Sequence, residues 1–181
     1  MPKYKHEILI AIVFILFGLA LRILDHPPNF TPIGAIAIFA GTYLSRKTSL
    51  IIPILAMFLS DIFIGFYSPA VMAVVYGSFT LSVILGWWLK KNTKWTNILA
   101  SSILVGVIFY LFTNFAVWVF TPWYPKTLGG LIYCYYLALP FFRNTLMGNL
   151  FYATSFFGLY ELAKYSIKKF KTQSIKTTSI L

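Results

Sequence analysis

Acidic residues are nearly missing from this 181-residue chain: four Asp and Glu stand against fifteen Lys and Arg, for a formal net charge of +11. Charged residues of both signs make up 10%, against about a quarter in a soluble domain. The chain is 59% hydrophobic, with a mean hydropathy of +0.80. That balance excludes a disordered chain, which needs the opposite one. A single cysteine, Cys134, excludes a disulfide scaffold. No His/Cys cluster has metal-ligand spacing, and there is no Gly-rich phosphate loop and no Gly-x-Ser-x-Gly elbow. ATP chemistry therefore cannot be built from this chain alone, and neither a cofactor nor an enzymatic activity is expected. Nor is there an internal repeat of the kind found in secondary transporters.

What remains is apolar length and aromatic content. Aromatics reach 19%, which suits a membrane protein with interfacial Trp and Tyr belts. The composition predicts an all-α, multi-pass integral membrane bundle. It forms one domain over residues 1–169, followed by a basic tail over 170–181. A spanning helix needs about 20 apolar residues, and six segments qualify or come close: 8–24, 32–44, 49–66, 69–89, 97–120 and 144–163. Pro140 and Arg143 interrupt the last apolar region, so 128–139 reads as a short interfacial or re-entrant piece before the sixth span. Thr31-Pro32 and Ser68-Pro69 place a hydroxyl at a helix cap and a proline at the first helical position, where its missing N–H costs nothing. Thr48 and Thr96 can cap the third and fifth helices.

Six spans put both termini on one side. Twelve basic residues then share that side (Lys3, Lys5, Arg46, Lys47, Lys90, Lys91, Lys94, Lys164, Lys168, Lys169, Lys171 and Lys176). Only Arg22, Lys126 and Arg143 fall on the other. The positive-inside rule makes the crowded side cytoplasmic, in the bacterial plasma (inner) membrane. Topology and contact with anionic lipid thus account for the basic excess without nucleic acid. Residues 3–20 also read as a signal peptide, with Gly18-Leu19-Ala20 as the small-residue site; cleavage there leaves five spans. Retention gives the even topology.

Polar groups inside a membrane are costly, so their depth is informative. Asp61 falls at the outer end of the third span, Asn114 and Trp118 at the outer end of the fifth, and Arg143 and Asn144 at the outer start of the sixth. The 22–30 loop, with Asp25, His26 and Asn29, lies outside them. Gly106, Tyr110, Asn114 and Trp118 recur every four residues, and Asn144, Gly148, Tyr152 and Ser155 form a second stripe. Facing each other, the stripes would line an outward cavity of mixed polar and aromatic character, with Asp61 and Arg143 paired across it. Each element also has a structural reading. The Asp61–Arg143 pair can simply close the bundle, Asn114 can be interhelical glue, and Trp118 can anchor at the interface.

Four segments carry a resemblance: 26–35 (HPPNFTPIGA), 59–61 (LSD), 113–118 (TNFAVW) and 139–145 (LPFFRNT). They resemble a bacterial membrane-protein family without settled activity, related in shape to the substrate-binding (S) components of energy-coupling-factor vitamin transporters. The architecture is similar to such a component up to about Lys169. The resemblance implies capture of a vitamin-like small nutrient from outside, followed by toppling in the bilayer, driven by a transmembrane coupling protein and two ATPases. On that reading Asp61, Asn114, Trp118, Arg143 and Asn144 contact solute, and the loop with His26 and Asn29 gates the cavity. One departure is visible: S components often show Ala-x-x-x-Ala on the first helix, whereas here Ala11 is followed by Ile15. A solitary carrier therefore stays beside the coupled transporter. Two other classes also stay open. One is a non-catalytic scaffold of cell-envelope assembly; the other is a lipid-head-group enzyme using Asp25, His26 and Asp61.

Overall fold

In a computed structural model, residues 3–178 are described, with side chains from residue 7 to residue 169. These residues form seven helices and no strand: α1 (Lys3–Ile23), α2 (Ile33–Tyr43), α3 (Arg46–Ile64), α4 (Pro69–Leu89), α5 (Trp95–Phe120), α6 (Leu128–Leu137) and α7 (Leu139–Thr178). Lys3 and Lys5, like Lys171 and Lys176, fall outside the described side chains, as does the end of the expected tail at 179–181.

Local chemistry explains most boundaries. Ser45 starts α3, its Oγ accepting the Thr48 N–H at 3.4 Å, so Ser45 and not Thr48 is the cap. Gly65 ends α3 at φ 107°, a conformation that L side chains rarely adopt. Ser68 and Pro69 open α4 where expected, although the Ser68 hydroxyl makes no cap bond. Neither Thr31 nor Thr96 caps a helix: Pro32 occupies the cap position of α2 and Lys94 that of α5. Thr127 caps α6, its Oγ1 accepting the Gly130 N–H at 3.1 Å.

The last span departs from expectation. It starts at Leu139, not Asn144, and runs on past Ala163 to Thr178. Pro140 is the cause. In a helix continued from α6 it could not donate to the carbonyl four residues back, and its ring would collide with that carbonyl. In the first turn of a new helix neither problem arises. The chain therefore breaks at Ala138 and restarts at once.

Contacts at the two ends of the bundle fix the helix directions. At one end the Thr48 hydroxyl donates to Glu7 (3.4 Å), Tyr43 packs tilted against Tyr160 (centroids 4.1 Å apart) and Trp95 lies against Gly158. At the other, Arg22 meets Asp61, and Asn144 reaches Pro28. Hence α1, α3 and α5 run one way and α2, α4 and α7 the other, with the start of α1 and the second half of α7 at the same end. Arg46, Lys47, Lys90, Lys91 and Lys94 belong to that end, and Lys164 follows on α7.

Three helices, α3, α4 and α5, are long and apolar enough to cross a membrane. Their outward faces carry Ile51, Phe58, Ile62, Ile84, Trp88, Leu104 and Phe112, all exposed. α2 differs in kind. At 11 residues it rises about 16 Å, roughly half a hydrocarbon core. Ile33 through Thr42 are all buried, so it is apolar all round and sits as a pin at the centre of the bundle. It crosses α4 with backbones nearly touching. A Cβ on Gly41 would lie 2.4 Å from the Val83 carbonyl oxygen, and one on Gly86 would lie 2.4 Å from that of Ile38. The Thr42 hydroxyl seals the crossing, lying 2.8 Å from the Ile38 carbonyl and 3.2 Å from that of Gly86. Small residues permit this approach, and van der Waals contact stabilises it where lipid offers no hydrophobic gradient.

Candidate functional site

The end of the bundle opposite Arg46, Lys47, Lys90, Lys91 and Lys94 holds a cavity of about 470 Å³. Its walls and floor are apolar: Met57 of α3, Val71, Val75 and Phe79 of α4, and Phe109 and Val117 of α5. Phe79 and Phe109 pack with centroids 5.2 Å apart. Its rim is polar, with Arg22 of α1, His26, Asn29 and Thr31 of the loop before α2, Tyr67 after α3, and Asn114 of α5. The start of α7 closes the remaining side through Phe141, Phe142 and Thr145. A small lobe of about 30 Å³ continues from Asn29 and Thr31 down to Asn149, which is 3% exposed. Apolar walls with a few convergent polar groups are the usual makeup of a small-molecule site.

Arg22 and Asp61 form the electrostatic centre. The Arg22 Nη1 lies 2.9 Å from Asp61 Oδ1 and also donates to the Ser60 hydroxyl and the Met57 carbonyl (3.3 Å). The other carboxylate oxygen, Oδ2, accepts the Tyr76 hydroxyl at 2.7 Å. Asp61 is 1% exposed and does not line the cavity, whereas Arg22 does. The pairing expected between Asp61 and Arg143 is therefore corrected. α1 and α3 run in the same direction and bring their C-terminal ends together, so Arg22 reaches Asp61, while Arg143 points off the bundle, exposed and without an ion pair among the described residues.

The other expected site residues divide. His26, Asn29 and Asn114 line the cavity. The Asn114 amide N–H₂ donates to the Tyr110 carbonyl at 2.8 Å, leaving its Oδ1 without a partner among the described residues. The His26 Nδ1 lies 2.6 Å from the Leu24 carbonyl, which can only accept, so Nδ1 carries the proton and Nε2 is left for other contacts. Asn29 adopts φ 64°, a left-handed conformation that Asn tolerates better than most residues. Asn144 does not line the cavity; its amide donates to the Pro28 carbonyl at 2.9 Å and ties the loop to α7. Trp118 also lies off the cavity, its indole N–H donating to the Pro125 carbonyl at 2.9 Å beneath Lys126.

The two expected stripes meet only in part. Tyr110 and Asn114 do face the cavity, and Tyr110 stacks on Phe142 with centroids 4.4 Å apart. On α7 the facing positions are 141, 142, 145 and 149, with Ala138 just before the helix. Tyr152 instead packs among Phe17, Phe30 and Phe156. Sequence reasoning also passed over Arg22, Thr31, Tyr67 and Thr145 as cavity residues. Burial, reinforced by the charge of Asp61, pushes the Tyr67 phenol up to about 12, so it is a neutral hydrogen-bonding group across the physiological range. Cys134 is buried on α6, its thiol 3.5 Å from the Asn114 carbonyl, which fits an inert packing role. Among the described residues no three His, Cys, Asp or Glu side chains converge as a metal site would require.

No curated protein and no solved structure matches the chain. The profile of a family of unknown function, DUF6580, matches residues 2–173, and the chain belongs to that family.

Proposed function

We propose that this protein is the solute-binding component of a membrane transporter, taking up a small nutrient through the cavity at its outer end. The observation that carries this reading is the cavity itself. It is roomy enough for a small nutrient, floored by apolar side chains and rimmed by Arg22, His26, Asn29 and Asn114 at the end of the bundle away from the lysines. On this reading the bundle has six spans, with α2 completing its passage by means of its flanking segments. The lysine-bearing end faces the cytoplasm together with both termini, in the plasma membrane of a bacterium. The 26–30 loop, held to α7 by Asn144, is the gate over the cavity. Similarity to S components supports a coupled mechanism with a transmembrane partner and ATPases.

The reading is tested by denaturing the detergent-purified protein and analysing the released small molecules by mass spectrometry. A molecule of nutrient size should accompany the wild type and be depleted in Asn114→Ala. Ligand-free wild-type preparations, together with uptake that is unaffected by Asn114→Ala, would refute it.

A further inference from the structure

The charged groups around the cavity are arranged asymmetrically. Asp61, the partner of the cavity-lining Arg22, is 1% exposed, and both its oxygens are occupied, Oδ1 by Arg22 and Oδ2 by Tyr76. Among the described residues no carboxylate lines the cavity, Asp25 being exposed in the loop beside His26, so a cationic solute finds no counter-charge in the cavity wall. Arg22 does reach it, and its protein contacts are one-sided. Asp61, Ser60 and Met57 are all met through Nη1. The Nε–H and Nη2–H groups have no hydrogen-bond partner among the described residues, and no side-chain polar atom in the cavity wall is both buried and unpartnered. Those groups form the parallel edge of the guanidinium, the fork that matches the two oxygens of a carboxylate.

Asp61 sets the strength of this edge and holds its orientation. It fixes the guanidinium plane and offsets its charge, so the free edge is a pair of oriented donors with room for one carboxylate. Behind the fork the walls are apolar, with Val75, Phe79 and Phe109 beneath. We infer that the solute is a monocarboxylate with an apolar or aromatic body, its carboxylate seated on the free edge of Arg22 and its body on the Phe79–Phe109 floor. This rests on the reading of the cavity as a solute site and narrows it to a chemical class. Thr31 stands on the same rim, its hydroxyl a further donor to the anion.

The test is titration calorimetry on the full-length protein in nanodiscs with three probes of one shape: 3-phenylpropanoate, 3-phenylpropanamide and 3-phenylpropylamine. The carboxylate should bind about ten-fold more tightly than the amide or better, and the amine should give no binding. Arg22→Lys keeps a charge beside Asp61 but loses the fork, and should bring the carboxylate down to the level of the amide without changing the amide. An amide or amine that matches the carboxylate on the wild type would overturn the inference, and that comparison needs no variant to fold. Should none of the three bind, the molecule released from purified protein decides. If it bears a carboxylate, the inference stands. A released molecule without one overturns the inference but keeps the solute-site reading, and the release of nothing overturns both.

Discussion

Arg22, in the last turn of α1, lies 2.9 Å from Asp61, near the end of α3, and joins the two helices at the mouth of the cavity. The arginine is 16% exposed at its side chain and the aspartate 1%. Removing one member of a buried pair strands the other, at a cost of about 3 kcal/mol. Asp61→Ala should therefore destabilise the protein by roughly that amount. Arg22→Met combined with Asp61→Leu should recover most of the loss, because an apolar pair leaves no stranded charge. Thermal unfolding of the three variants in detergent checks this, and a double variant no better than Asp61→Ala would contradict it.

Gly86→Ala is expected to be more damaging than its size suggests. The added methyl would meet the Ile38 carbonyl at 2.4 Å, with backbone on both sides of the crossing, so the helices must part. Overpacking of this kind costs about 1–3 kcal/mol. Gly77→Ala on the same helix meets open space and serves as the control. Equal unfolding temperatures for the two variants would count against a tight α2–α4 crossing.

The 26–30 loop should loosen when its tie to α7 is cut. Asn144→Ala removes the bond to the Pro28 carbonyl, worth about 1 kcal/mol. Amide hydrogen exchange over residues 26–30 should accelerate while the α2 core stays protected. Exchange that is unchanged in the loop would mean that another contact holds it.

Orientation can be read with thiol labelling, because the lone native cysteine, Cys134, is only 2% exposed and gives little background. In intact cells a membrane-impermeant maleimide should label Asn29→Cys at once and label Lys91→Cys only after permeabilisation. The opposite order would invert the proposed topology.

Much of the fold was legible in the sequence because hydropathy and proline position report directly on where helices can lie. α4 begins at Pro69 and ends at Leu89 as expected, and the short α6 appears between the Pro122–Pro125 turn and Pro140. The site was only half legible. His26, Asn29 and Asn114 are at the cavity because depth along the bundle follows from topology. Rotation about a helix axis does not. Each residue turns the helix by about 100°, so the start of α7 at Leu139 puts Phe142 and Thr145 on the cavity and turns Arg143 outward. Arg22 falls in both the expected 8–24 span and the 22–30 loop; the structure makes it the last turn of α1, and its partner depends on which helices are neighbours. That α1 and α3 run parallel, with their charged ends level, was the available clue.

Native mass spectrometry of the intact protein shows whether the cavity rimmed by Arg22, Asn29 and Asn114 holds a small molecule. Val75→Trp places an indole in the cavity from its α4 wall and leaves the polar rim untouched. The account predicts that the wild type, released gently from detergent, carries an adduct of small-molecule mass and that Val75→Trp, still folded, carries none. A wild type without an adduct, or the same adduct on both proteins, would contradict it.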